Sequence, residues 1–230
     1  MSVVIPAFEA EEFIVEALRS VLDQDHRPLE VIVLDDGSTD RTAELVACMG
    51  SDAVRYSRQE NRGAAAALNA GVALATGPWL TFLNADDVWT PGRLTLQLRL
   101  AAEHPEAAIV LGHLRRMWQP EGEREWRFTD PELALSLQSC LCRPEVFERV
   151  GGFDETLRYC FDWDWFFRAR ELGVPFHTHP EVTNHYRRHA GNLSAEEDAN
   201  REAAAVFRRS LARRRAGGRA GSLDRLAPDG

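Results

Sequence analysis

Short apolar runs alternate with longer stretches of helical periodicity through the first hundred residues, and this alternation limits the fold more than any other feature. Residues 2–5 form a β-branched run closed by Pro6, and residues 29–34 form a second. A weaker run follows at 53–56 and another at 79–83. Between them, Phe13, Ile14, Ala17, Leu18, Val21 and Leu22 recur at helical spacing from Ala10, ending before Pro28. Asp40 or Thr39 is placed to cap a helix through Leu45 and Val46, and the alanine-rich stretch 64–75 has high helix propensity despite Gly71. Short strands joined by helices of ten or more residues predict an α/β protein with a mixed, mostly parallel sheet flanked by helices.

Beyond Pro91 the pattern predicts a helix carrying Leu94, Leu98 and Ala101, then a strand at 107–111. Residues 113–128 mix aromatic and charged residues, which suggests a hairpin or an irregular excursion. An apolar run at 137–142, a short helix at 144–150 stopped by Gly151 and Gly152, and an aromatic-rich helix at 161–172 follow. Short strands are expected at 174–176 and 182–186, then a polar helix from 195 to about 216 and a disordered tail at 217–230.

Composition removes several classes of function. A formal charge of −9 argues against broad nucleic-acid binding, which requires a basic footprint. No apolar run approaches the roughly 18 residues of a membrane span, and the opening Met-Ser-Val-Val-Ile-Pro lacks the basic flank of a signal peptide. Cys48, Cys140, Cys142 and Cys160 lack zinc-ligand spacing, so buried free thiols in a reducing cytoplasm are expected. No G-x-G-x-x-G follows the first strand, as a dinucleotide-dependent dehydrogenase would need, and no basic glycine-rich loop, as a nucleotidyltransferase would need.

Ligands of open α/β sheets sit beyond the carboxyl ends of the strands. Three polar clusters fall there: Pro6-Ala7, Asp35-Asp36 and Asn84-Ala85-Asp86-Asp87. Two adjacent acids at a strand end repel each other, and burying either is costly unless a cation, an arginine or water neutralises it. A divalent ion with oxygen ligands meets that need; an exposed, helix-capping turn before Pro91 is the plain alternative.

The segments Ser-Val-Val-Ile-Pro-Ala-Phe, Val-Ile-Val-Leu-Asp-Asp-Gly-Ser-Thr-Asp, Asn-Arg-Gly, Leu-Asn-Ala-Asp-Asp and Gly-Gly-Phe-Asp-Glu, with the late Tyr-Arg-Arg-His-Ala-Gly-Asn-Leu-Ser, occur in an order that resembles the family-2 glycosyltransferases of GT-A fold. The resemblance covers roughly residues 2–194. It implies one domain over 1–195, with a nucleotide-binding part at about 1–112 and an acceptor-side part at 113–195, followed by the helix at 196–216. It also implies inverting transfer of a sugar from a nucleotide-diphosphate sugar, UDP-linked, with Mg or Mn, in the biosynthesis of a polysaccharide or glycoconjugate.

Glycosyl transfer leaves a diphosphate of growing negative charge while the sugar becomes oxocarbenium-like. Such a site needs a cation on the diphosphate and a base for the acceptor hydroxyl. Asp86 and Asp87 are the expected metal ligands, with His189 a third, beside Arg187 and Arg188 as phosphate partners; a structural histidine is the alternative. Asp36 and Asp35 are expected on the nucleobase or ribose, Pro6, Ala7 and Glu9 along the base pocket, and Arg62 on a phosphate or the base. Asn84 and Asp86 complete the nucleotide contacts. Matching to the family puts the base on Asp162, with Asp164 behind it, and aromatic neighbours are expected to raise its pKa and to stack on a sugar acceptor. A helix N-terminus with core tryptophans is the alternative.

Two positions depart from the family. Asn84 stands where an Asp is common, and Phe161 replaces the usual Glu before the base. Both keep open a second reading, a nucleotide-sugar-binding subunit with weak or lost catalysis. The acceptor class, whether saccharide, lipid-linked or peptide, is not specified by the sequence. Arg208, Arg209, Arg213, Arg214 and Arg215 form either a solvated helix face or a peripheral contact with anionic membrane.

Overall fold

A computed structural model describes residues 1–27, 29–189, 191–192 and 197–216; the expected tail at 217–230 and the Leu193-Ser194 end of the last motif lie outside them. Among the described residues ten strands form one sheet. Its first part is β1 (Ser2–Ala7), β2 (Glu30–Asp35), β3 (Val54–Arg58) and β4 (Leu80–Phe82), all parallel, with β1 between β2 and β4. The connecting helices are α1 (Ile14–Leu22), α2 (Thr42–Cys48) and α3 (Ala64–Leu74).

Both faces of this sheet are covered over β1, β2 and β4, which is why those strands read as near-continuous apolar runs, whereas the edge strand β3 is largely exposed and reads as mixed. The period-2 alternation of side chains divides β1 between two cores. Val3 and Ile5 pack with Val31, Val33 and α1 on one face, while Val4 joins Leu80, Phe82 and α3 on the other. Gly71 is explained here: a Cβ at this position in α3 would run into Val4.

The second part is β5 (Val88–Trp89), α4 (Arg93–Glu103), β6 (Ile109–Trp118), β7 (Arg127–Phe128), β8 (Glu132–Leu133), β9 (Cys140–Cys142), α5 (Glu145–Val150), α6 (Phe161–Glu171), β10 (Phe176–Arg187) and α7 (Glu197–Ala216). Strand β9 inserts antiparallel between β4 and β6, and β6 pairs in parallel with β10. Three expectations need correction. Strand β6 continues past Leu111 to Trp118, and residues 176–187 form one strand rather than two. The break in the sequence pattern is Pro180, which lies in a stretch of shifted register between Thr178 and Val182, where a strand tolerates proline. Cys48 is exposed; the other three thiols are buried. No described helix is long and apolar enough to cross a membrane.

Candidate active site

Strand β4 ends where Leu83 donates its N–H to the Val4 carbonyl, and the chain then turns through residues 84–87. The two acids of this turn face opposite ways. Asp87 is fully buried: its Oδ1 accepts the Arg187 backbone N–H at 2.7 Å, and its Oδ2 faces Gln138 Nε2 at 3.3 Å and Asn84 Nδ2 at 3.4 Å. Burial, and then the neighbouring Asp86, push its carboxyl well above the usual range, against the pull of Arg187. Asp86 instead turns outward, with its Oδ2 3.0 Å from His189 Nε2 and 3.5 Å from Asn192 Nδ2.

The segment after β10 is pinned to this turn. Arg187 donates through Nε to the Asp86 carbonyl at 2.8 Å and pairs with Glu16 at 2.5 Å. Its guanidinium lies 5.1 Å from the Phe13 ring centroid and 4.7 Å from that of Trp126. Asn192 accepts the His189 N–H at 2.6 Å and donates to the Arg187 carbonyl at 3.0 Å, and Phe13 stacks obliquely on His189. Arg187 is therefore a clamp on the acidic turn rather than an open phosphate partner, while Arg188 is exposed.

Of the three expected metal ligands, Asp86 and His189 come together and Asp87 does not. Among the described residues no three His, Cys, Asp or Glu side chains converge as a metal site. A magnesium-like ion commonly takes one or two protein donors and completes its shell with phosphate oxygens and water, and two cis ligands about 2.1 Å from an octahedral centre stand roughly 3.0 Å apart. The Asp86–His189 separation of 3.0 Å fits that donor pair, as it also fits a direct hydrogen bond. Imidazole beside carboxylate favours a transition ion such as manganese over magnesium. An open cavity of about 490 Å³ adjoins the pair, lined by Arg116, Trp118, Tyr186, Arg188, His189 and Asn192.

On the nucleotide side, Asp36 is nearly buried and organises the Asn-Arg-Gly turn. Its Oδ1 accepts from Gln59 Nε2 at 2.7 Å and the Arg62 N–H at 2.9 Å, and its Oδ2 accepts the Gly63 N–H at 2.7 Å. Gly63 has φ +92°, a conformation glycine supplies without steric cost. The Asp36 N–H reaches the Ala7 carbonyl at 2.8 Å, so Pro6, Ala7, Asp36 and Arg62 share one edge. The Arg62 guanidinium is mostly exposed and pairs with Glu155 at 2.7 Å. Glu9, at φ +48°, ties its carboxylate to the Thr39 N–H at 2.7 Å. Asp35 is wholly enclosed, held by the Ser38 N–H at 2.7 Å and the Tyr56 hydroxyl. Burial and Asp35 push that hydroxyl up to about 12. This corrects the expectation that Asp35 faces a ligand.

Helix α6 separates the two remaining acids. Asp162 accepts the Trp163 N–H at 2.8 Å, and burial pushes its carboxyl up to about 7. Asp164, two residues on and on the inner side, is held by Arg168 at 2.7 Å and Arg213 at 3.2 Å; it is a structural ion pair, not a free base. The aromatic residues are also corrected: Trp165 and Phe166 are fully buried, and Trp163 packs against Phe207 of α7. No described hydrogen bond joins Asp162 to the Asp86–His189 pair. Gln138 and Asn192 were not assigned from sequence. Asn192 stands in a His-x-x-Asn turn that could have flagged it, whereas nothing near Gln138 signals its reach to Asp87.

A sheet of this topology, with an acidic turn at the end of β4 and a histidine loop closed on it, is that of the GT-A glycosyltransferases. It superposes on S. aureus TarS 1–349 in complex with UDP-GlcNAc with a TM-score of 0.74 and 20% identity, covering 92% of this chain and 65% of that one. The Pyrobaculum calidifontis mannosyltransferase PcManGT, in complex with GDP-Man and Mn2+, aligns with a TM-score of 0.69 and 21% identity over 96% of this chain and 76% of that one. Residues 2–159 match glycosyl transferase family 2, and the chain belongs to that family. An uncharacterised glycosyltransferase of Rickettsia prowazekii is 28% identical over 84% of this chain and 65% of its own length. An uncharacterised protein of Mycobacterium tuberculosis is 30% identical over 84% of this chain and 60% of its own. The chain thus spans less than two thirds of the length of these relatives.

Proposed function

We propose that the protein transfers a sugar from a UDP-linked donor to an acceptor hydroxyl with inversion, assisted by a divalent cation. The observation that carries this reading is a contrast between two carboxyls. Asp86 faces outward beside His189, where a cation and a diphosphate can meet it, while burial lifts Asp162 to about 7, into the range of a general base. Asp162 takes the proton of the acceptor hydroxyl as its oxygen bonds to the anomeric carbon. The bond from that carbon to the diphosphate breaks on the opposite face, and UDP leaves with the electron pair. A bound Mn or Mg held by Asp86 and His189 supplies charge neutralisation to the diphosphate. Asp87 holds the turn through Arg187, and Asp36 keeps one acceptor position beyond its three N–H donors for a base or ribose group.

The acceptor is a saccharide, lipid-linked or peptide hydroxyl. Three buried free thiols fit a reducing, cytoplasmic setting. Peripheral membrane contact rests mainly on Arg208 and Arg215, because Arg209 pairs with Asp154 and Arg213 with Asp164 and Glu171. The second reading, binding without turnover, draws on Asn84, which turns its amide toward Asp87 and brings no charge to the site.

Thermal shift with UDP-glucose, UDP-GlcNAc and GDP-mannose, with and without Mn, tests the proposal. Stabilisation follows the ratio of ligand to dissociation constant, about 2.7 kcal/mol at a hundredfold excess. A UDP-sugar is expected to raise the midpoint only with Mn present. No response to any nucleotide sugar would overturn the reading.

A further inference from the structure

Helix α7 lies beyond the family-matched segment, which ends at residue 159, yet it reaches back to the turn that introduces Asp162. The Glu202 carboxylate accepts three consecutive backbone N–H groups: Arg158 at 2.9 Å through Oε2, and Tyr159 and Cys160 at 2.7 Å each through Oε1. Backbone N–H groups at a helix start lack intrahelical partners and usually find a capping side chain nearby in sequence. Here Cys160, at the N-cap of α6, supplies no side-chain cap, and Glu202 of another helix holds the three N–H groups that lead into the helix.

The same helix closes around this turn on either side. Val206 packs with Leu157 and Cys160, and Tyr159, Phe161 and Trp163 lie against that cluster. Arg209 pairs with Asp154 at 3.1 Å, and Arg213 pairs with Asp164 at 3.2 Å and Glu171 at 2.6 Å. These contacts bracket Asp162 while leaving its own carboxylate free of them. We infer that Glu202 is a positioning residue: by fixing the backbone at 158–160 it sets where Asp162 meets the acceptor hydroxyl. The inference rests on the proposed role of Asp162 as base. A displacement of about 1 Å at a reacting group can lower the rate about a hundredfold.

The test compares the full chain with Glu202→Ala, Glu202→Gln, Asp162→Asn and a control, Arg201→Ala, whose exposed side chain pairs with Asp198 among the described residues. Steady-state kinetics with a UDP-sugar donor and Mn are read alongside the thermal midpoint. Glu202→Ala is expected to lower kcat about 10- to 100-fold with donor KM unchanged. Glu202→Gln keeps an acceptor oxygen for Tyr159 and Cys160 and is expected to fall between Ala and wild type. Wild-type kcat in both Glu202 variants, with Asp162→Asn inactive, would overturn the positioning role and leave the base intact. Full turnover in Asp162→Asn would remove the base and the inference with it. If Glu202→Ala does not fold, Glu202→Gln decides: a lower kcat at constant donor KM supports the role, and either wild-type kcat or a parallel loss of donor binding overturns it.

Discussion

Asp162 links acid–base chemistry to stability. Its carboxyl rises from 3.8 to about 7 through burial, so the folded protein keeps a proton that the unfolded chain has released between those values. The group therefore contributes stability that is complete below pH 3.8 and lost as pH rises through about 7. In its proposed role as base Asp162 must be unprotonated, so turnover runs the other way. Activity is expected to fall as pH drops below about 7, and Asp162→Asn is expected to abolish it. The same substitution is expected to stabilise the fold at pH 8 by roughly 1–4 kcal/mol, an advantage that disappears near pH 4. Denaturant unfolding of both proteins across pH checks this; equal stability at pH 8 would show that Asp162 is not desolvated. At this scale the sequence places acids at the strand ends and at the start of α6 but does not show where each one points. Asp86 and Asp87 are neighbours, and what turns Asp87 inward is a backbone N–H of Arg187, 100 residues away. Asp164 likewise stands next but one to Asp162 in sequence, and what ties it inward is Arg213, 49 residues away, together with Arg168.

Among the elements, α3 offers the sharpest conflict between local and tertiary forces. Helix propensity alone favours Gly71→Ala by about 1 kcal/mol. Packing opposes it, because the added methyl meets Val4 on the central strand. Overpacking of a close-packed core typically costs about 1–3 kcal/mol, so the urea midpoint is expected to fall; a rise would mean that α3 can move off the sheet. Strands β1, β2 and β4 were legible because each is a buried, continuous apolar run and α1 a clear stripe; the edge strand β3, Val-Arg-Tyr-Ser-Arg, gave a weaker signal. The second half was less so. Pro180 and the shifted register hid the continuity of β10, and polar residues from His113 to Trp118 hid the extension of β6, whose pairing with β10 depends on contacts that sequence does not display. The polar pattern of α7 marked a surface helix and gave no sign that Glu202 reaches the turn before α6.

Taken as a whole, the protein is acidic, with a formal charge of −9, and is proposed to bind an anionic diphosphate. The local arrangement has to offset that mismatch. Asp87 is enclosed, Asp86 faces His189, and Arg188 and Arg116 line the adjoining cavity, so a cation at the Asp86–His189 pair would complete a positive region. On the proposed reading, donor binding and catalysis belong to different parts of the molecule: the turn after β4 with the loop after β10, and the start of α6. The central claim follows from that division and is tested most directly by measuring, in parallel, donor affinity and turnover with Mn in wild type, Asp86→Ala and Asp162→Asn. Asp162→Asn is expected to bind the UDP-sugar as wild type does and to turn over at least about a hundredfold more slowly, while Asp86→Ala loses Mn-dependent binding. Equal turnover in all three proteins would contradict the account.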